Sequence, residues 1–368
     1  MGKSDVIYDV VTANLTQILN SSVAGEGESS RSGLMEFSDW YANIHGYVSI
    51  LVCVFGIIAN FMNIVVLTQK NMVSPTNYLL TALAIADMLT MTSYVPFALY
   101  FNCLSTQDPE ENHALGWVIY MLFHTCFTIT SHTIAMYLTV ALAVFRYIVV
   151  CHHTHGPRMC NMQRTRLTII LVIIITIIFC IPNYIMYIPA KYSTAGGYWI
   201  ERTSLVTDFQ RNFYYWLFGV ALKVAPCVLL SVLSTLLIRA MRTAAAKRRK
   251  LKSSGRHDDS ERNSEHNRTT VMLVAIVICF VITELPQGVL AFLSGINMRI
   301  FEEVYTPLGD VFDILVLVNS SVNFLLYCIM SKQFRGTFCR VFCSWHSRDK
   351  QLNGVYSCAS TKTTGTQL

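Results

Sequence analysis

Several ionisable side chains are embedded in otherwise apolar sequence. Asp87 closes the run Leu83-Ala84-Ile85-Ala86-Asp87, His132 interrupts a long apolar stretch, Lys223 precedes Pro226, Glu284 lies in Thr283-Glu284-Leu285-Pro286, and Asp310 and Asp313 open another apolar run. The amides Asn60, Asn319 and Asn323 sit in similar surroundings. These residue types support ion pairing and exchangeable hydrogen bonds. A carboxylate can hold an ammonium, imidazolium or guanidinium group, and an amide can satisfy a carboxylate. For Asp87 and its amides, a switching cluster and a purely structural network are both open on this reading. No nucleophile constellation or phosphate-binding glycine loop is visible, so no enzyme is predicted. No metal-ligand spacing appears and no cofactor is implied.

The apolar sequence around these residues comes in blocks. Of 368 residues, 53% are hydrophobic and 14% charged, against roughly 25% charged in soluble domains; mean hydropathy is +0.44. The block at 46–68 makes about 33 Å of helix at ~1.5 Å per residue, enough to cross a hydrocarbon core ~30 Å thick. Seven such blocks occur, at 46–68, 77–101, 116–150, 167–189, 213–238, 270–294 and 305–330. Backbone in lipid must satisfy itself, which requires helices here. The predicted fold is an all-α membrane protein, a seven-transmembrane helix bundle followed by a short amphipathic helix. A mid-helix charge costs about 2.5–3.5 kcal/mol on the insertion scale, so the ionisable residues above should face the bundle interior and have a role. Cys53, Cys126, Cys180, Cys227, Cys279 and Cys328 fall inside the blocks and read as small apolar residues.

Basic residues set the orientation. Arg239, Arg242, Lys247, Arg248, Arg249, Lys250 and Lys252 follow the fifth block, Arg158, Arg164 and Arg166 the third, and Lys332, Arg335 and Arg340 the seventh. The opposite loops carry Asp108, Glu110, Glu111, Glu302 and Glu303. The prediction is a multi-pass plasma-membrane protein with its N-terminus extracellular and C-terminus cytoplasmic. It divides into a tail at 1–45, a bundle at 46–331, a surface helix at 332–343 and a disordered tail at 344–368. Asn14 and Asn20 head glycosylation triplets in the outer tail. The net charge of +6 is explained by the cytoplasmic loops, with no nucleic-acid partner. Phe334, Phe338, Val341 and Phe342 make the apolar stripe of the surface helix, with Cys339 and Cys343 beside it as palmitoylation candidates.

Together these residues resemble rhodopsin-like G-protein-coupled receptors. The marks are Asn60, the run ending at Asp87, Phe145-Arg146-Tyr147, Pro226, Phe280, Pro286 and Asn323-Phe324-Leu325-Leu326-Tyr327. Several depart from the family pattern. Phe145 replaces an acid beside Arg146, Thr283-Glu284-Leu285-Pro286 replaces a Cys-Trp-x-Pro motif, and Phe324 replaces a proline. The usual disulfide is expected to be absent, with Met121 at one position and no cysteine in 191–211; Cys103 is read as the one cysteine in an extracellular loop. The finer resemblance is to invertebrate myosuppressin and FMRFamide-like peptide receptors, with sex-peptide or myoinhibitory-peptide receptors as the alternative. A small-molecule receptor and a seven-helix transporter are further alternatives.

The resemblance implies an extracellular peptide ligand, of an amidated Arg-Phe type, and a heterotrimeric G protein inside. Ligand-binding residues would be His132, Lys223, Glu284, Asp310 and Asp313. Lys223 and Glu284 fall at facing depths when the prolines are aligned, and are expected to pair with His132 nearby. Asp310 and Asp313 share a helix face and, with Glu302 and Glu303, are expected to form an acidic rim for the ligand's guanidinium. Tyr94, Phe97, Tyr100, Phe101 and neighbouring aromatics are offered to its apolar side chains. The switch and G-protein coupling would use Asp87, Asn60, Asn319, Asn323, Arg146, Tyr147, Phe280, Pro286 and Tyr327. The Ser/Thr-rich tail is expected to recruit arrestin once phosphorylated, and its end at Leu368 suits capture by a PDZ protein.

Overall fold

The computed structural model describes residues 33–104, 114–151, 156–191, 197–252, 278–279, 281–293 and 298–343. Asn14, Asn20, Phe280, Leu368 and the Ser/Thr-rich tail lie outside the described residues, as does the side chain of Cys343. Helix α1 is Gly33–Leu67, α2 is Pro75–Phe97, α3 is Leu115–Cys151 and α4 is Met162–Met186. Helix α5 comprises Asp208–Leu217, a π-helical stretch Phe218–Val224 and Ala225–Lys252. Helix α6 is described over Val281–Leu293. Helix α7 is Gly309–Met330, and α8 is Lys332–Phe338 with a π-helical continuation Cys339–Cys343. Six of these helices are long and apolar enough to cross a membrane, and α6 is a shorter apolar one. The order and composition are those of a seven-helix bundle.

Polarity is arranged for lipid. On α4, Leu167, Ile170, Leu171, Ile174, Ile175 and Ile178 are all exposed, while Thr165, Thr176 and Asn183 are buried. An exposed apolar face of that extent is unstable in water and ordinary in a bilayer. The two largest apolar clusters among the described residues lie toward opposite ends of the bundle. One, around Cys53, Met91, Tyr94, Phe97, Val118 and Leu317, joins α1, α2, α3 and α7 at one end. The other, around Val66, Leu79, Leu138, Leu142, Tyr327 and Phe334, joins them at the end that carries α8. At Gly56 an added Cβ would collide with the Met91 side chain of α2 and the Ser321 hydroxyl of α7, so glycine lets both side chains fill this three-helix contact.

Local signals account for several helix ends. Ser74 accepts from the Asn77 amide at 3.1 Å, with Pro75 in the first turn. Ser331 caps α8 through the Phe334 amide at 3.1 Å. Prolines shape the interiors. Pro226 has no N–H to give to the carbonyl four residues back, and the Ala225 amide bonds Val220, the wider π pattern. A π-helical continuation, Ala98–Leu104, begins two residues after Pro96 of α2.

Some boundaries differ from those predicted. Helix α1 begins at Gly33, so 33–45 is helix rather than tail; Ser38 and His45 are buried there, and the polar residues of this turn hid it from a hydropathy reading. Cys103 is not in a loop: it lies in the π-helical end of α2, close against Gly46, where an added Cβ would stand 2.8 Å from its sulfur. The fourth span ends at Met186, because 187–191 is a strand. That strand, β1 (Tyr187–Lys191), pairs antiparallel with β2 (Tyr198–Arg202), with Tyr187 opposite Arg202 and Lys191 opposite Tyr198. No strand was expected. Tyr187 and Ile200 anchor the hairpin in the apolar cluster with Val118 and Met121, and the Thr203 amide bonds the Met186 carbonyl at 3.0 Å. Among the described residues Cys103 and Cys126 are both free thiols.

Candidate functional site

Three polar groupings lie inside the bundle. The first joins α3, α5 and α6. Lys223 Nζ donates to Glu284 Oε2 at 2.9 Å, and His132 Nε2 stands 3.1 Å from Glu284 Oε1. The Glu284 side chain is fully buried and that of Lys223 is 8% exposed. Lys223 also donates to Gln287 Oε1 at 2.9 Å, and Gln287 reaches the Tyr305 hydroxyl at 3.4 Å. Lys223 belongs to the π-helical stretch of α5, held against α3 by the Tyr137 hydroxyl on the Ala221 carbonyl at 2.6 Å. Gly288 lets α6 close on α5 at this level, since an added Cβ would sit 3.3 Å from the Lys223 Cβ. One carboxylate thus faces the Lys223 ammonium of α5 and the His132 ring of α3. Such a pair is tolerable in low dielectric only because each partner is met.

The second grouping joins α1, α2 and α7. His45 Nε2 lies 2.9 Å from the Tyr94 hydroxyl, which donates to Asp313 Oδ2 at 3.3 Å. His45 is also 3.8 Å from Asp310 Oδ1 and 3.2 Å from the Ser49 hydroxyl. Asp310 is therefore not part of an exposed acidic rim. It is 6% exposed and turned toward His45, while Asp313 is half-buried and Glu303 exposed. Beside it, His124 meets Ser93 at 2.8 Å and stacks on Phe97 at 4.5 Å. Tyr94, Phe97 and Phe101 are buried in the core rather than at a lipid boundary.

The third grouping lies toward the α8 end. Asn323 donates to Asp87 Oδ2 at 2.9 Å. Asn60 does not reach the carboxylate; its amide donates to the Ser320 and Gly56 carbonyls at 2.9 and 3.0 Å. Asn319 is buried in the same helix. Arg146 and Tyr327 line a cavity of about 180 Å³, Tyr147 is half-buried and Pro286 is exposed. Cys339 is exposed on α8. The sequence reading missed His45, His124, Gln287 and Tyr305. The first was assigned to a tail; the others are polar residues on faces that only packing identifies.

Seven apolar helices enclosing paired charges, with an arginine at the α8 end of the third, are the frame of a G-protein-coupled receptor: a multi-pass membrane receptor and not an enzyme. The comparison with known families narrows the class, because the model of the serpentine type 7TM GPCR chemoreceptor Srw matches residues 47–345. This chain belongs to that family. It is 29% identical over 353 residues to the G-protein coupled receptor dmsr-1 of Caenorhabditis elegans, covering 83% of this chain and 69% of the relative. It is 28% identical to the sex peptide receptor of Drosophila melanogaster, covering 87% and 79%. It is 24% identical to the FMRFamide receptor of the same fly, covering 79% and 52%.

Proposed function

We propose that this receptor binds an extracellular amidated peptide of the Arg-Phe type and activates a heterotrimeric G protein. The observation that carries the reading is the buried Lys223–Glu284–His132 set, which ties α3, α5 and α6 through one carboxylate. A ligand group that engages Lys223 or Gln287 redistributes these bonds and releases α6 to swing at Pro286. Asp313, half-buried and linked through Tyr94 to His45, supplies a carboxylate for the ligand's guanidinium. Asp310 has a supporting role, holding His45. Asp87, Asn60, Asn319 and Asn323 relay the movement together with Phe280, and Arg146, Tyr147 and Tyr327 meet the transducer.

The basic residues near the inner ends of α3, α5 and α7 support an extracellular N-terminus and a cytoplasmic C-terminus. In this orientation Asn14 and Asn20 carry glycans, Cys339 and Cys343 carry palmitate, and the phosphorylated tail recruits arrestin, with Leu368 open to a PDZ protein. The domain division follows, amended so that the bundle begins at Gly33. A second reading, a ligand of the sex-peptide or myoinhibitory type, is favoured by the sex peptide receptor relative, which matches 87% of this chain.

The test is a panel of amidated peptides of both types applied to cells expressing the chain, read by G-protein dissociation. Activation by an Arg-Phe-amide peptide is expected, with potency falling about tenfold or more in Lys223→Met and Glu284→Gln, equivalent to ~1.4 kcal/mol or more. Response to the sex-peptide set alone selects the second reading. Potency and efficacy untouched by both substitutions would remove the ion set from the ligand site.

A further inference from the structure

The cavity beneath Arg146 has a composition that its neighbours do not explain. Among the described residues its wall is Leu67, Asn71, Met72, Val73, Ser74, Asn77, Leu80, Tyr327, Ser331, Gln333 and Phe334 with Arg146, with no carboxylate in that set. The amides are already committed. Asn71 donates to the Thr337 hydroxyl at 2.7 Å, Asn77 to the Met72 carbonyl at 2.6 Å and Gln333 to the Asn71 carbonyl at 2.9 Å. Arg146 Nε is sealed from solvent and has no hydrogen-bond partner. The residue before it, where an acid would pair with it along its own helix, is Phe145, packed into the apolar cluster with Leu142 and Tyr327. A buried guanidinium N–H with no acceptor is costly, no carboxylate among the described residues pairs with it, and the half-buried side chain borders a cavity of about 180 Å³.

We propose that this cavity is a binding site for an oxyanion, a carboxylate or phosphate group, gripped by the Arg146 guanidinium in a two-point fork. The fork geometry matches both anions, and no other ionised group among the described residues of the wall competes for it. Arg158, Arg164, Arg166, Lys332, Arg335 and Arg340 lie at the same end of the bundle and raise the local concentration of anions there. The group comes from a soluble cytosolic anion or from the headgroup of an anionic inner-leaflet lipid. Bound there, it ties α3 to α7 and α8 and occupies the arginine proposed to meet the transducer. The placement of this cavity in the cytosol rests on the orientation proposed above.

The test uses the full chain in phosphatidylcholine nanodiscs, with melting temperature read against inorganic phosphate at constant ionic strength. A second arm places phosphatidylinositol 4-phosphate in the nanodisc without free phosphate. Phosphate also stabilises proteins generally by exclusion from their surface, so the readout is the shift in the parent chain minus that in Arg146→Gln. A difference of at least about 2 °C is expected, with a smaller one in Arg146→Lys, which keeps the charge and loses the fork. A difference with free phosphate assigns a soluble source; a difference only in the lipid arm assigns a headgroup. Equal shifts in parent and Arg146→Gln in both arms would overturn the site. Nucleotide exchange on added G protein is measured in parallel. Anion binding with no effect on exchange leaves the site standing and refutes the transducer role of Arg146.

Discussion

At the scale of single residues, the interior depends on charges that are paired rather than absent. Removing one member of the buried set strands the other, and breaking such a pair typically costs about 3–5 kcal/mol. Lys223→Met is expected to lower the melting temperature of the detergent-solubilised receptor more than the double substitution Lys223→Met with Glu284→Met. Equal or additive losses would show that the contact at 2.9 Å carries no coupling. The two partners were legible in sequence because each lies within a few residues of a proline, which fixes its depth. Asp310 was misread for a related reason. Its partner His45 lies one residue before the apolar block on which the first span was drawn, so its burial was invisible until α1 was seen to start at Gly33. Tyr94 was legible as aromatic but not as the hydroxyl linking His45 to Asp313. Tyr94→Phe keeps the ring and removes that link; the proposed role of Asp313 predicts a loss of peptide potency with little change in expression.

At the scale of elements, hydropathy finds a helix but not its irregularities. Nothing in the residue pattern announced that 218–224 would widen into a π-helix, and yet Lys223 depends on it. The extra residue in that turn, which lies just ahead of Pro226, rotates the side chains before it relative to a regular helix. The hairpin of β1 and β2 was hidden because its pairing is between segments too short and too mixed to stand out from loops. Close helix approach was equally silent, being set by the lack of a side chain. Gly288 gives a direct test. A leucine there must displace Lys223 from its position against α6, since even a bare Cβ would lie 3.3 Å away. Gly288→Leu is expected to cost about 1–3 kcal/mol in stability and to weaken peptide response, whereas Gly336→Ala, with nothing within 4 Å of an added Cβ, should leave both unchanged.

At the scale of the whole molecule, the bundle holds charge at two ends on opposite terms. Around Glu284 each ionised group has a partner on another helix, so the charges hold helices together. At the α8 end Arg146 has no such partner among the described residues, and the contacts that hold α3 to α7 there are apolar, through Leu142, Tyr327 and Phe334. With the ligand site placed as proposed above, a receptor built this way has its restraint concentrated at the ligand end. The transducer end should then rest nearer to activity than one in which an acid holds the arginine. Phe145→Asp supplies that acid, at the cost of one packed ring. G-protein activation measured without ligand, at matched surface expression, should fall in this variant, while the maximum response to peptide is retained. A parent chain that is silent without ligand, with Phe145→Asp no different, would place the resting restraint in the buried set of α3, α5 and α6 alone. Lys223→Met would then be the substitution that raises basal signalling.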